Sequence, residues 1–304
     1  MYYLGIDTSN YTTSAAVVSD DGTLVADSRL PVKVASGDRG IRQSDAVFTH
    51  VKNLPEVMAG IGNVISSLSA VGVSYAPRDV EGSYMPCFLS GVSAAKSIAS
   101  VAGLPCLEFS HQAGHIAAAV CTAGREELLN EKFIAFHVSG GTTDLLLVDN
   151  LKITQIGGTL DLNAGQAIDR VGVMLGLEFP CGKELEKISA PINSVKPMSC
   201  VKGMQCNLSG LENRASDMLK KGELPENIAA FTLGSVLVTL DKMCENAIKE
   251  YGKLPVVFAG GVTANKYIKT ALEAKYNAIF TAPDYSRDNA VGTAYLARKA
   301  CLGI

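Results

Sequence analysis

Two stretches of the chain, about 130 residues apart, repeat one order of elements, and that repeat constrains the fold more than any other feature. In the first, Tyr2–Ile6 is a short apolar run ending at Asp7, Thr12–Ser19 alternates polar with apolar residues, and the turn Asp20-Asp21-Gly22 leads into Thr23–Leu30. In the second, Phe133–Val138 is apolar and runs into Ser139-Gly140-Gly141, Thr142–Val148 follows, and Asp149-Asn150 turns the chain into Leu151–Ile156. Helical periodicity follows each copy, over Val51–Leu68 after the first and over Asn163–Leu175 and Glu184–Ile188 after the second. Few residues are identical between the copies, so the repeat is one of arrangement.

A three-stranded meander followed by crossover helices, occurring twice, predicts a duplicated α/β fold of two lobes. It is the layout of the actin, hexokinase and Hsp70 ATPase superfamily (ASKHA, RNase H-like), in which a nucleotide lies in an interlobe cleft with its phosphates gripped by the hairpin loops. A length of 304 residues suffices for two such lobes. Residues 1–124 are assigned to the N-terminal lobe and 125–304 to the C-terminal lobe, with the polar stretch Thr122–Glu127 at the junction and no Pro-rich linker.

The net charge of −3 gives no global basic field for nucleic acid, so an RNA partner would need a local basic patch or a companion subunit. With no tryptophan and 29 glycines, the chain suits tight turns and close backbone approach to a ligand more than stacking on bases. The opening MYYLGIDTSN has no charged segment followed by an apolar one, and no window reaches the ~18 uninterrupted apolar residues of a membrane span. A cytoplasmic protein without a membrane partner is expected. The eight cysteines (Cys87, Cys106, Cys121, Cys181, Cys200, Cys206, Cys244 and Cys301) form no C-x-x-C pair, which predicts reduced, mostly buried thiols.

Several short segments could carry chemistry. Val138-Ser139-Gly140-Gly141-Thr142 lies between two strand patterns, where exposed amides and hydroxyls could approach phosphate oxygens or simply make a Gly-Gly hairpin turn. In Val256–Lys269 a buried strand breaks at Gly260-Gly261 and a helix starts near Thr263, an arrangement that serves either as an anion site or as a plain strand–helix connection. Thr8 and Ser9, after the first strand, are further candidates for a phosphate loop. Asp161, Asn163, Gln166 and Asp169 cluster toward the start of the next helix, where acids favour the helix dipole and could equally hydrogen-bond ligand hydroxyls.

His111 and His115 are spaced i, i+4, which puts both imidazoles on one helical face within reach of a single ion. Spacing alone reads as readily as a helix cap and a histidine packed beside alanines. Asp288, in Asp284–Ala297, is a plausible carboxylate partner at the start of the last helix. Two histidines and one carboxylate leave open positions on a metal, as Lewis-acid catalysis requires.

Taken in order, these segments resemble one family, the tRNA N6-adenosine threonylcarbamoyltransferases, formerly described as glycoproteases or O-sialoglycoprotein endopeptidases. The resemblance spans nearly the whole chain: LGIDTS, GVSAAKSIASVAGLP, HQAGH, VSGGTT, DLNAGQAIDRVGVMLGL with FPCG, NLSGL, FAGGVTAN and SRDNA. It implies one divalent ion, iron or zinc, at His111, His115 and Asp288. It also implies contacts to an adenine nucleotide or acyl-adenylate from Val138 to Thr142 and from Asp169, Gly182 and Asn265. The implied reaction moves a threonylcarbamoyl group from threonylcarbamoyl-adenylate to N6 of adenosine 37 in tRNA. Implied partners are that tRNA, a related pseudo-enzyme subunit and a P-loop ATPase subunit. A peptidase is not indicated, because no nucleophile–base–orienter arrangement is visible.

The chain departs from the family pattern at four places. The usual T-S-C-D-E-T is Thr8-Ser9-Asn10-Tyr11-Thr12-Thr13, and the SGGH loop ends in Thr142. The Gly-Pro-Gly element is Ser74-Tyr75-Ala76-Pro77-Arg78, and a V-P-E segment is replaced by Gly40–Asp45, although the histidine that follows it remains as His50. These changes leave two other readings open: a divergent non-catalytic paralogue that serves as a nucleotide-binding or assembly subunit, and a carbamoyl-type transferase with another acceptor.

Overall fold

The computed structural model describes residues 1–9, 11–32, 41–62 and 64–303, so Asn10 and Gly40 lie outside the described residues. The chain divides into two compact units, residues 1–126 with 287–304, and residues 127–286. The first junction lies beside the division at 124/125 drawn from the sequence. The second differs from it, because the last segment returns to the first unit. Small residues explain the return: Gly5, Gly72, Ala290, Ala294 and Ala297 let the C-terminal helix (Val291–Leu302) lie almost on the backbone of the first sheet.

The first unit is built on five strands: β1 (Tyr2–Asp7), β2 (Thr12–Ser19), β3 (Leu24–Pro31), β4 (Leu68–Ala76) and β5 (Cys106–Ser110). Their order is β3-β2-β1-β4-β5, with the first three antiparallel and β4 and β5 parallel to β1. Helices α1 (Gln43–Gly60) and α2 (Phe88–Ala102) supply the crossovers, and α3 (His111–Thr122) follows β5 directly. The first helix thus lies earlier than the Val51–Leu68 periodicity predicts, since Gly62, with φ +75°, ends it and β4 begins at Leu68.

Strand alternation sorts the first sheet into two faces. Leu4 and Ile6 join Val17, Val71, Val73, Leu54 and Val57 in the core on one side. Tyr3 packs with Ala70 and Ala297 on the other. A Cβ on Gly5 would lie 2.4 Å from the Ala290 carbonyl oxygen, which places Gly5 on that second face too. Asp7 is next in the same alternation, so a fully buried carboxylate is aimed at the layer that holds α3.

The second unit repeats the order with additions. Its strands are β6 (Lys132–Val138), β7 (Thr143–Asp149), β8 (Lys152–Thr159), β9 (Val201–Lys202), β10 (Gln205–Cys206), β11 (Val256–Ala259) and β12 (Ile279–Phe280), arranged β12-β11-β6-β7-β8-β10-β9. Read from β8 to β12, the sheet repeats the antiparallel meander and two parallel strands of the first unit, with a short ribbon added beyond β8. Phe136, Phe258 and Phe280 stack across the parallel strands with centroids 4.7 and 4.9 Å apart.

Helices α4 (Ala164–Met174), α5 (Gly182–Ile188), α6 (Ser209–Lys220), α7 (Pro225–Tyr251) and α8 (Lys266–Tyr276) complete the second unit. Among the described residues α7 alone is long and apolar enough to cross a membrane, and 72% of its apolar window is buried within the protein, as in a core helix.

The C-terminal helix also crosses α3. A Cβ on Gly292 would lie 1.8 Å from the Gly114 carbonyl oxygen and 2.7 Å from the Ala118 amide nitrogen, so only glycine permits this approach. Gly292→Ala should therefore lower unfolding stability by about 1–3 kcal/mol through overpacking against backbone. Urea unfolding checks this, and an unchanged midpoint would show that the crossing is not tight.

Candidate metal centre and glycine loops

Four side chains of the first unit converge where β1, α3 and the C-terminal segment meet. Ser110 ends β5 and caps α3, its hydroxyl accepting from the Ala113 amide at 3.2 Å and donating to Asp79 at 3.0 Å. His111 therefore occupies the first helical turn without capping it, and His115 lies one turn on. Their Nε2 atoms are 3.0 Å apart. Asp288 Oδ1 lies 3.5 Å from His111 Nε2 and 3.6 Å from His115 Nε2. Asp288 is in the loop before the last helix, which begins at Val291.

Asp7 completes the arrangement from behind. Its Oδ2 is 2.8 Å from His111 Nδ1, while its Oδ1 accepts from the Ser9 amide at 2.8 Å and from the Ser9 hydroxyl. A carboxylate on Nδ1 fixes the ring orientation and leaves Nε2 facing Asp288.

Electrostatics follow from these contacts. Burial alone would push His111 down, but the adjoining Asp7 and Asp288 outweigh it and raise the imidazole to about 10. Burial and the charge on His111 both push His115 below the ordinary histidine range. Burial would raise Asp7 and Asp288, yet the histidines hold both below the usual carboxylate range. The metal-free cluster at neutral pH thus carries one imidazolium, one neutral imidazole and two carboxylates.

This donor set fits a divalent cation. Ligand atoms of His111, His115 and Asp288 lie within 4.8 Å of one another, and Asp7 supplies an outer carboxylate of the kind that orients metal-bound histidine. The imidazolium proton occupies the position an ion would take, so uptake must displace it.

In the second unit two glycine loops lie side by side at the carboxyl ends of paired parallel strands, His137 of β6 opposite Ala259 of β11. Ser139 N–H donates to the Thr142 carbonyl at 2.8 Å, closing a tight turn in which Gly140 and Gly141 are exposed. The Gly165 amide donates to the Ser139 carbonyl at 3.1 Å and the Ala164 amide to the Thr143 hydroxyl at 2.8 Å, so the turn is docked on the start of α4. Gly260 has φ +97°, and a Cβ there would lie 2.4 Å from the Val138 carbonyl oxygen, while Gly261 faces open space. Ends of parallel strands flanked by open amides are where anionic ligands bind in α/β sheets.

Comparison with known proteins now decides the family. The family model described as tRNA N6-adenosine threonylcarbamoyltransferase matches residues 33–295. A protein of that name from Thermosipho melanesiensis is 33% identical over 287 residues, covering 90% of this chain and 85% of its own. The chain belongs to the tRNA N6-adenosine threonylcarbamoyltransferase family. Solved structures agree on the fold. The Acidaminococcus fermentans (R)-2-hydroxyglutaryl-CoA dehydratase component A, 17% identical, superposes with TM-score 0.60 and covers 99% of both chains. A ROK family glucokinase from Streptomyces griseus, solved with glucose and AMPPNP, is 11% identical with TM-score 0.54, covering 98% of this chain and all of its own. The fold is the duplicated α/β arrangement of the actin and hexokinase superfamily.

Of the residues that the threonylcarbamoyltransferase pattern singles out, His111, His115 and Asp288 come together in the first unit. In the second, Val138, Ser139, Gly140, Gly141 and Thr142 adjoin Gly260 and Gly261 at neighbouring strand ends. Asp169 lies mid-helix on α4 and accepts from the Cys181 amide at 2.8 Å, beside Gly182 at the start of α5; burial pushes its carboxyl up against that hydrogen bond. Asn265 caps α8 by accepting from the Ile268 amide at 3.1 Å, and its side-chain amide donates to Glu186 at 2.9 Å. That helix starts at Lys266, after a 3-10 turn, and not at Thr263.

Other residues take tasks that differ from a sequence-based expectation. Thr8 is fully buried, donating to the Cys87 carbonyl at 2.9 Å and accepting from the Gly91 amide at 3.0 Å, so its hydroxyl ties β1 to α2. Ser9 supports Asp7. Asn163 and Gln166 form a capping box on α4, and Asp161 accepts from the Leu208 and Ser209 amides at the start of α6.

Asp7 escapes motif spacing, and His50, which the family pattern retains, takes a setting that the pattern does not reveal. Asp7 is separated from His111 by more than a hundred residues, and only the alternation along β1 signals which way it points. His50 is fully buried on α1, with Nδ1 2.8 Å from the Thr13 hydroxyl and Nε2 without a hydrogen-bond partner among the described residues. Burial holds it below the usual histidine range against the pull of Asp7 and Asp288.

Asp7→Asn keeps the shape and removes the charge, so Zn²⁺ affinity should fall about 10–100-fold; competition against a chromogenic chelator measures this, and unchanged affinity would remove Asp7 from the site. With His111 at about 10, uptake at pH 7.5 should release about one proton per ion and tighten as pH rises toward that value. Calorimetry in buffers of different ionisation enthalpy reads the proton, and an uptake without release would contradict the charge assignment. The sign for metal-free stability is opposite: the His111 contribution is complete below about 6.5, its unfolded value, and is lost as pH rises through about 10.

Proposed function

We propose that the chain transfers a threonylcarbamoyl group from threonylcarbamoyl-adenylate to N6 of adenosine 37 of tRNA, with one divalent ion, iron or zinc, held by His111, His115 and Asp288. The observation that carries this reading is the convergence of those three donors on one point with Asp7 behind them. A scaffold subunit has no need of such a set, which would leave buried charges to be balanced.

The chemistry that an ion supplies when bound there is Lewis-acid polarisation of a carbonyl. The protein's own groups do the remaining work. The amides of Gly140 and Gly261 offer hydrogen bonds to the adenylate phosphate, at a position fixed by the docking of Ser139 on α4, while the Gly141 amide donates to the Ser139 hydroxyl. Asp169 with the neighbouring Gly182, and Asn265 bonded to Glu186 of α5, hold the nucleoside in this reading. Asp7 keeps His111 Nε2 forward. In the reaction a C–N bond forms between N6 and the carbamoyl carbon as the C–O bond to the adenylate phosphate breaks; AMP leaves with the charge, and the amine proton passes to water. A related pseudo-enzyme subunit and a P-loop ATPase subunit are the proposed companions, in the cytoplasm.

The inward-turned hydroxyls of Thr8 and Ser9 favour a second reading, a nucleotide-binding assembly subunit, since the first hairpin loop lacks those two phosphate donors. One experiment separates the two. Metal-loaded chain, the companion subunits, threonylcarbamoyl-adenylate and an ANN-decoding tRNA are combined, and nucleosides are resolved by mass spectrometry. Threonylcarbamoyladenosine should form with the wild type and fall at least about 100-fold with His111→Ala or Asp288→Ala, alongside loss of bound metal. No modified adenosine from the wild type supports the assembly reading or another acceptor, and unchanged metal content in both variants removes the metal assignment.

A further inference from the structure

The second unit contains a hollow of about 270 Å³ that has no part in the site above. Its floor is apolar, formed by Val195, Met218 and Phe231. Around its rim stand Lys196, Arg214 and Lys221, from the segment before β9, from α6 and from the end of α6. All three are exposed, and none makes an ion pair or side-chain hydrogen bond among the described residues. Three cations elsewhere in this unit are by contrast held by carboxylates, Arg170 by Glu212, Lys187 by Glu184 and Lys275 by Asp241.

The one carboxylate on the rim does not neutralise the three cations. Glu223 accepts from the Leu224 amide at 3.2 Å and from the Asn227 side-chain amide at 2.7 Å, which ties it to the start of α7. Like charges around an apolar, low-dielectric floor focus a positive potential outward. In a chain of net charge −3 such a local patch is what a polyanionic partner requires.

We propose that this hollow is a docking site for the phosphate backbone of the tRNA acceptor. The proposal rests on the tRNA reading above. RNA fits better than an acidic protein segment because the cations are solvent-facing, come from two separate stretches of chain and ring a hollow able to seat a phosphate group. The contacts are to backbone and not to bases, so they position the acceptor without reading its sequence.

The test is tRNA binding by fluorescence anisotropy across a KCl series, using the full metal-loaded chain. The variant Lys196→Gln/Arg214→Gln/Lys221→Gln should bind at least about tenfold more weakly at low salt, and its log–log salt slope should shrink by about 2–3, at roughly 0.7–0.9 per phosphate contact. Each single variant should remove about one unit of slope. The control Lys52→Gln/Lys132→Gln/Lys152→Gln changes net charge equally and should keep the wild-type slope.

Wild-type binding that the first triple variant leaves unchanged overturns the docking site and spares the tRNA reading. An equal loss in the control also overturns it, since long-range charge then suffices. No binding by the wild type overturns the proposal and the tRNA reading together. If the triple variant instead loses binding only of a glutamate-rich peptide or of inorganic phosphate, the hollow serves that ligand and the proposal fails.

Discussion

The contact between Gly114 and Gly292 is the constraint on which the candidate metal centre depends. At that point a helix from the first hundred-odd residues meets the last helix with backbone against backbone, and no side chain can intervene. Gly114 lies between His111 and His115, and Gly292 lies four residues past Asp288. Where the helices touch therefore decides where the three donors meet. The sheet beneath contributes in the same manner: Gly5 and Gly72 lower its surface so that the C-terminal helix can settle, and the alternation that exposes Gly5 to that helix turns Asp7 toward His111.

The charge pattern follows from that packing. An imidazolium at neutral pH is unusual for a largely enclosed histidine, and here Asp7 and Asp288 are the cause. A cluster with one fully buried and one partly buried carboxylate calls for positive charge, supplied by a proton on His111 or by an ion in its place. The second unit presents the complementary chemistry without side-chain charge. Gly140 and Gly261 offer backbone donors at strand ends, with position fixed by Gly260 against Val138 and by Ser139 against α4.

Much of the fold was legible because strand alternation is local. The two meanders end within a residue or three of their predicted bounds, and the shared strand order of the units follows from the repeat. The first helix was misplaced because Val51–Leu68 continues an apolar pattern across the break at Gly62. The return of residues 287–304 to the first unit was not legible, since it depends on small residues far apart in sequence. The same limit applies to the site. Spacing could pair His111 with His115 on one face, but Asp7 becomes visible only once β1 and α3 are neighbours. Thr8 reads as a phosphate donor in a hydroxyl-rich stretch, whereas Gly91 and Cys87 approach it and take its hydrogen bonds.

In the proposed centre two imidazoles and one carboxylate form the inner sphere of a single ion. X-ray absorption at the zinc edge of the zinc-loaded chain reads that sphere directly. Two nitrogen scatterers with the outer-shell signature of imidazole are expected at about 2.0–2.1 Å and at least one oxygen at about 2.0–2.2 Å, the distances usual for histidine and carboxylate ligands. A sphere of oxygen alone, or one containing cysteine sulfur near 2.3 Å, would contradict it.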